Sequence, residues 1–255
     1  MPIRTDPERP GWQLLLDAGG APVARFELLV RDGRRVADLL TRCPGIGVER
    51  AAGAVLADLR GMLVCGDEEL GRALVAAGGQ PRRHAHVLSR DLRAAPPTAP
   101  GPPPAGLRIA PADRRASDLA AAFRAAYPRD HPDFRAYPYP EDPALELAPL
   151  LDGRQVGPLL AASALALDGA GRVVGAALVN RAPGVPPDAG PWLTQLFRAP
   201  AHPGTGRALL EHALAALAGA GEEALGLAVT DGNPAERLYR ALGFRRTFTA
   251  FNVQL

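Results

Sequence analysis

Few folds accept the stretch from Leu196 to Phe244, because its hydrophobic period switches between that of a strand and that of a helix. Leu196-Phe197 leads into Pro203-Gly204-Thr205-Gly206-Arg207-Ala208-Leu209-Leu210, then Leu225-Gly226-Leu227-Ala228-Val229-Thr230, then Asn233-Pro234-Ala235-Glu236 and on to Gly243-Phe244. It reads as strand, glycine turn, helix, strand, helix. Gly204 and Gly206 allow positive φ and close approach of another group to the backbone, so the chain can turn sharply into a helix. Leu210, Leu214 and Leu217 then share one helix face, with Arg207 and Glu211 a turn apart on a polar flank. In the second strand Leu225, Leu227 and Val229 alternate with Gly226, Ala228 and Thr230, and a face of small residues suits something lying close against it. For the last helix Asn233 is the predicted N-cap, Pro234 fits the first position, Glu236 stands where a capping box needs it, and Gly243 ends the helix. Ala235 and Tyr239 share a face of that helix.

These two motifs, in this order and separated by a helix and a strand, resemble the cofactor-binding half of the GCN5-related N-acetyltransferase (GNAT) superfamily. The second motif stands as Asn233, Ala235, Tyr239, Gly243 and Phe244. The first usually opens with Gln or Arg, where this chain has Ala201 in Ala201-His202-Pro203-Gly204-Thr205-Gly206; the change removes a side-chain contact and leaves the turn. The resemblance implies an α/β fold with a mixed central sheet flanked by helices, and transfer of acetyl from acetyl-coenzyme A to a primary amine by direct attack. A GNAT fold that holds an acyl-coenzyme A without turnover is the alternative.

A glycine turn opening a helix offers free backbone N–H groups and the positive end of the helix dipole, which hold a pyrophosphate without lysine. Gly204, Thr205, Gly206, Arg207 and Ala208 are the expected pyrophosphate contacts, with Arg207 available for a charge-assisted bond and His202 beside the turn. The resemblance adds backbone contacts from Leu196 and Phe197 to the pantetheine arm, where the first strand splays from the next, and assigns Asn233 and Ala235 to the cofactor. Tyr239 matches the family's general acid: a phenol with a pKa of about 10 can protonate a leaving thiolate with a pKa of about 8.5. The base stays open. Asp130, His131, Glu141 and Asp142 lie in the expected acceptor wall, and His131 has the most suitable unperturbed pKa. In this superfamily the base is often a water relay, and Gln195 on the cofactor strand could hold such a water. The acceptor, a small-molecule or peptide amine, is not specified. Dimers are frequent in the family, so a homodimer is expected on that ground alone.

Composition excludes other chemistries. All 29 basic residues are arginine, since the chain has no lysine, and this removes a Walker A lysine, Schiff-base chemistry and a pyridoxal phosphate anchor. A net charge of +2 implies no strong field toward nucleic acid or membrane. Cys43 and Cys65 sit in apolar surroundings without a C-x-x-C pair and read as buried free thiols. His84 and His86 have strand spacing, but with no third ligand nearby no metal is predicted. The N-terminus lacks the apolar core of a signal peptide, and no apolar run is long enough to span a bilayer, so a reduced, cytoplasmic protein is expected.

Proline density from Ala95 to Gly106 forbids helix or sheet interior and favours an extended spacer. It divides the chain into an α/β lobe over 1–94, a linker over 95–106 and a GNAT-like domain over 107–255. The lobe is predicted to carry strands at Trp12 to Leu16 and Val23 to Val30, helices near 34–42 and 48–60, a short apolar run Met62-Leu63-Val64-Cys65, a helix from Glu68 to Ala77, and a strand from Arg82 to Leu88. Pro44-Gly45-Ile46-Gly47 precedes a helix there as Pro203-Gly204-Thr205-Gly206 does later, and Val75 answers to Tyr239. The lobe therefore reads either as a degenerate GNAT half without its acid, making a tandem protein, or as an unrelated α/β lobe. The second domain is predicted to have strands at Leu107 to Ala110, 158–167, 172–180, Trp192 to Phe197 and Thr247 to Leu255. Helices are predicted near Ser117 to Ala126 and 144–151, and a hairpin turn at Asp168-Gly169-Ala170-Gly171.

Overall fold

The computed structural model describes residues 2–31, 33–94, 97, 99–137, 139, 141–183 and 189–255. Residues 1–86 with 248–255 form one compact unit, and residues 87–247 form another. The final strand thus contributes to the N-terminal unit, whereas the sequence reading assigned it with 107–255.

The N-terminal unit contains β1 (Ile3–Thr5), β2 (Trp12–Leu16), β3 (Pro22–Arg31), β4 (Arg34–Arg42), α1 (Val48–Asp58), β5 (Leu63–Gly66), α2 (Glu68–Ala76) and residues 80–86 of β6 (Gln80–Asp91). Its sheet runs β1-β2-β3-β4-β5. The first four strands are antiparallel, and β4 and β5 are parallel. Phe251–Gln254 of the last strand (Arg245–Gln254) pair antiparallel with Leu63–Gly66. Leu15, Phe26, Leu40, Val55, Leu70, Leu74 and Val253 fill the core. The helix predicted near 34–42 is strand β4. Its apolar residues fall three and four apart because the strand is bulged between Ala37 and Leu40, with Leu39 at φ 50°, and a bulge mimics a helical period by flipping side chains to the other face.

The C-terminal unit contains β7 (Arg108–Pro111), α3 (Ala116–Ala126), α4 (Asp142–Leu151), β8 (Ala164–Leu167), β9 (Val173–Ala182), β10 (Gly190–Arg198), α5 (Thr205–Gly219), β11 (Ala224–Thr230) and α6 (Ala235–Ala241). Strands run in the order β7-β8-β9-β10-β11, antiparallel except for the parallel β10 and β11 pair. Helices cover both faces. On one, Leu209, Leu210, Leu214 and Leu217 of α5 pack on Leu193, Leu225, Leu227 and Val229. On the other, Leu119 and Phe123 of α3 and Leu147 of α4 pack on Leu165, Leu178 and Phe197. Burying all of this apolar area is the main stabilising term.

One expectation in this unit changes. Of the strand predicted over 158–167, Ala164–Leu167 alone is β8, with an isolated bridge between Leu159 and Asn180. Ser163 explains the late start: its hydroxyl accepts the Val179 N–H at 2.9 Å and lies 3.1 Å from the Val179 carbonyl, so a side chain replaces the backbone ladder. The described part of the proline-rich stretch, 97 and 99–106, has neither helix nor strand; Ala95, Pro96 and Thr98 lie outside the described residues.

Candidate active site

Strand β10 positions the site. It follows β9 along its length from Gly190 to Arg198, with a register shift between Leu193 and Gln195. The bulge reverses which face each residue takes, so Leu193 and Leu196 pack with the α5 core while Phe197 packs with the α3 core against Phe123, at 5.1 Å between ring centroids. Thr194, at the bulge, is pinned by its hydroxyl 2.7 Å from Asn180 Oδ1. Asn180 is fully buried and donates its amide to the Leu150 and Gly157 carbonyls at 2.8 and 2.9 Å. On its other side β10 pairs with β11 at Trp192↔Gly226 and Leu193↔Leu227, and the register goes no further. Gln195, Leu196 and Phe197 therefore turn backbone groups toward a gap between the two strands. At the paired end, the Trp192 ring lies against Gly226, where an added Cβ would come within 2.5 Å of it.

At the mouth of that gap the chain enters α5. Gly204 is the N-cap, with φ 81°, and no side chain caps the helix. Thr205 is fully buried, and its hydroxyl donates to the His202 carbonyl at 2.8 Å, which ties the turn together and leaves its backbone N–H as its polar contribution. An added Cβ at Gly206 would find Leu238 Cδ2 at 3.8 Å as its nearest neighbour, so the space there opens outward. Arg207 is exposed and pairs with Glu211 at 3.2 Å, a surface contact of little energy that a stronger anion can displace. Ala208 is buried against the core, His202 is half-buried, and the N–H groups of the first helical turn have no intrahelical acceptor.

At the other end of β11 a polar cluster forms. The Asn233 Oδ1 accepts the Ala235 N–H at 2.8 Å, so Asn233 caps α6 as expected. The capping box is not made: the Glu236 carboxylate takes Arg240 and Arg246 at 2.8 and 2.9 Å. Asn233 Nδ2 donates to Asp133 Oδ2 at 2.7 Å, and the Thr230 hydroxyl donates to Asp133 Oδ1. Tyr239 is buried, with its ring 5.8 Å from Phe244, and among the described residues no hydrogen bond engages its hydroxyl. Burial raises its pKa above the ordinary value, and the nearby Asp133 charge adds to that. Tyr127 is raised in the same way, by burial first, then by Tyr239 and Asp133. The Tyr127 hydroxyl lies 3.4 Å from Gln195 Oε1, a long contact, and its ring stands edge-on to His131 at 5.0 Å. His131 Nδ1 accepts the Asp133 N–H at 3.0 Å, so the neutral ring carries its proton on Nε2.

Of the residues expected around the acceptor, the structure thus gathers Tyr239, Asn233, Gln195 and His131 into one group. Asp130 and Glu141 are exposed, and neither shares a hydrogen bond or ion pair with that group among the described residues. Asp133, Tyr127 and Thr230 belong to it without having been singled out. Asp133 had no local signal, since its partners stand 97 and 100 residues further along the chain.

Residues 119–244 match the family model described as the acetyltransferase (GNAT) family. The chain carries a GNAT acetyltransferase domain. Solved GNAT structures share its fold over nearly the whole chain. A GCN5-related N-acetyltransferase from Sphaerobacter thermophilus is 18% identical with a TM-score of 0.59, covering 95% of this chain and 79% of that one. A tandem GNAT protein from the clavulanic acid biosynthesis pathway is 19% identical with a TM-score of 0.57, covering 96% and 82%. No curated protein matches the sequence. Among the described residues no helix is long and apolar enough to cross a membrane, and no group of three or more His, Cys, Asp or Glu could hold a metal.

Proposed function

We propose that the C-terminal unit transfers the acetyl group of acetyl-coenzyme A to a primary amine. The observation that carries this reading is the divergence of β10 from β11 after Leu193, with the uncapped α5 following β10 and α6, which carries the buried Tyr239, following β11. Backbone groups of Gln195, Leu196 and Phe197 are available to the amides of the pantetheine arm. The N–H groups of Gly204, Thr205, Gly206 and Arg207 and the α5 dipole suit the pyrophosphate, with the Arg207 guanidinium in reserve, whereas the Ala208 N–H expected among them is spent on the Gly204 carbonyl at 3.2 Å. His202, Asn233 and Ala235 are the remaining cofactor candidates, and the Asn233 side chain is engaged with Asp133 and the Ala235 N–H.

Acetyl-coenzyme A supplies an acetyl group activated as a thioester. The amine nitrogen forms its bond to the carbonyl carbon as the carbon–sulfur bond breaks, and the sulfur leaves as a thiolate that takes the Tyr239 proton; the proton lost by the nitrogen passes to solvent, which restores the phenol. A phenol whose pKa lies above its ordinary value keeps that proton throughout the neutral range, as an acid must. His131 in its neutral form can act as base after releasing the Asp133 N–H, and Gln195 can orient a water instead. Asp130 and Glu141 fit a role at the rim.

Calorimetric titration with acetyl-coenzyme A tests the reading without knowledge of the acceptor. Micromolar affinity at one site per chain is expected. Failure to bind at millimolar concentration would end it.

A further inference from the structure

Asp133 is a carboxylate whose hydrogen-bond donors among the described residues are neutral: the Thr230 hydroxyl and the Asn233 amide. Those bonds fix the orientation of both oxygens and use one acceptor site on each. An ionised carboxylate has about four such sites, so lone pairs remain, and so does the charge. The residue lies in the loop that follows α3, half-buried, close enough to Tyr239 and Tyr127 for its charge to raise both phenols, with His131 bonded to its own N–H. A held, half-buried anion with neutral donors around it is an incomplete ion pair, because a buried charge is stable when it is paired as well as hydrogen-bonded.

We propose that Asp133 is an acceptor-binding residue of this enzyme and that it receives the acceptor amine in its charged alkylammonium form, which gives up one proton to solvent before the neutral nitrogen attacks. This rests on the transferase reading for the identity of the cation as the acceptor. Held at Thr230 and Asn233, Asp133 sets the ammonium beside Tyr239 and next to the cofactor gap. The Thr230 and Asn233 side chains act as positioning residues for it.

The test uses the full chain with coenzyme A bound, titrated with pentylammonium chloride by ligand-observed NMR, and with 1-pentanol as the neutral counterpart. Wild type is expected to bind pentylammonium and to bind 1-pentanol far more weakly. Asp133→Asn keeps the size and loses the charge; it is expected to weaken pentylammonium by about tenfold or more, the worth of a hydrogen bond to a charged group, and to leave acetyl-coenzyme A affinity within about twofold. Thr230→Val removes one tie and not the charge, and it should weaken pentylammonium by no more than about threefold. The proposal is overturned if wild type fails to bind pentylammonium, if 1-pentanol binds as well, or if Asp133→Asn leaves the ammonium affinity unchanged. It is also overturned if that variant loses ammonium and acetyl-coenzyme A affinity in equal measure, the mark of a merely structural tie. The comparison of the two ligands on wild type stands even if the variant does not fold. Asp133-dependent binding of pentylammonium by a protein that fails to bind acetyl-coenzyme A would uphold the cation site and overturn the transferase reading instead.

Discussion

The two units run through the same element order, strand, glycine turn, helix, strand, helix, and differ at each point where a cofactor would touch them. In both, a glycine stands in the left-handed region before the helix, Gly45 at φ 77° and Gly204 at φ 81°. Gly204 is itself the cap of α5, whereas Gly47 caps α1 and Gly45 lies two residues earlier. The first turn of α1 holds Glu49, whose Oε2 would lie 3.6 Å from a Cβ on Gly47. That carboxylate occupies the electrostatic place of a phosphate. The first turn of α5 has no acid. Both parallel strand pairs also meet a bulge. Beyond it β4 rejoins β5 at Leu40↔Gly66, with Leu40 fully buried, while β10 does not rejoin β11. One topology thus yields a closed strand pair with a self-neutralised helix end in the first unit, and an open pair with a bare helix end in the second. On the acetyltransferase reading, the two units differ by what happens after the bulge and by the sign of one side chain.

The comparison breaks most readily at the phenol. Tyr239→Phe should lower turnover by about 10²- to 10⁴-fold, the usual worth of a positioned acid, and leave acetyl-coenzyme A affinity nearly unchanged. Val75→Ala at the answering position of α2 should leave turnover alone. An unaltered rate in Tyr239→Phe, or a large loss of binding, would remove the tyrosine from the chemistry.

A somewhat smaller effect is expected at the glycine turns. Gly206→Val has room to fold, since the nearest neighbour of the new Cβ is 3.8 Å away, but its methyls stand between the backbone N–H groups and a ligand. Loss of two charge-assisted contacts should weaken acetyl-coenzyme A by about a hundredfold. Gly47→Val in the first unit should leave that affinity as it is. Equal losses in the two variants would mean that both turns hold cofactor, and titration would then find two sites per chain.

The second unit was the more legible of the two because its signals are local. The strand, turn and helix boundaries from β10 to α6 follow from alternation, from glycine and from the Asn233 cap, and the family pattern rests on the same residues. What escaped was set by partners distant in sequence. Glu236 abandons the capping box because Arg246 on the last strand reaches it, and Asp133 acquires meaning when β11 and α6 bring Thr230 and Asn233 to it. Strand β4 reads as a helix in sequence because a bulge is an interruption of alternation, and a nine-residue window cannot tell that from a helical period. Ser163 shortens β8 by a side-chain hydrogen bond to Val179, a contact that the hairpin signal at Asp168–Gly171 does not specify.

The short helices of the two units are also held by different means. Gly71 of α2 packs so closely that an added Cβ would lie 2.3 Å from Phe251 Cβ, a contact without charge. Helix α6 is clamped by Glu236 between Arg246 and Arg240, which hold its carboxyl below the usual glutamate range, Arg246 foremost. A depressed carboxylate pKa contributes stability above the unfolded value of about 4.3, and that stability is lost as pH falls through the folded value. Glu236→Gln should therefore lower the Tm of the C-terminal unit at pH 7 and approach wild type in acid below about pH 4. A difference that stays constant with pH would show that the ion pairs do not hold the helix.

The smallest effect belongs to Glu49, and it separates the two causes of silence in the first unit. If the carboxylate alone excluded a pyrophosphate, Glu49→Gln would uncover a second acetyl-coenzyme A site. Strand pairing argues otherwise, because neutralising the residue leaves Leu40↔Gly66 in register and gives a pantetheine arm no backbone edge to meet. The variant should keep one site per chain and lose about 0.3–1 kcal/mol of stability, the worth of an exposed acid at a helix N-terminus, with the loss fading as salt is added. Calorimetry and thermal melts on the same sample read both quantities. A second site appearing on this single change would mean that the charge, and not the closed strand pair, is what distinguishes the two halves.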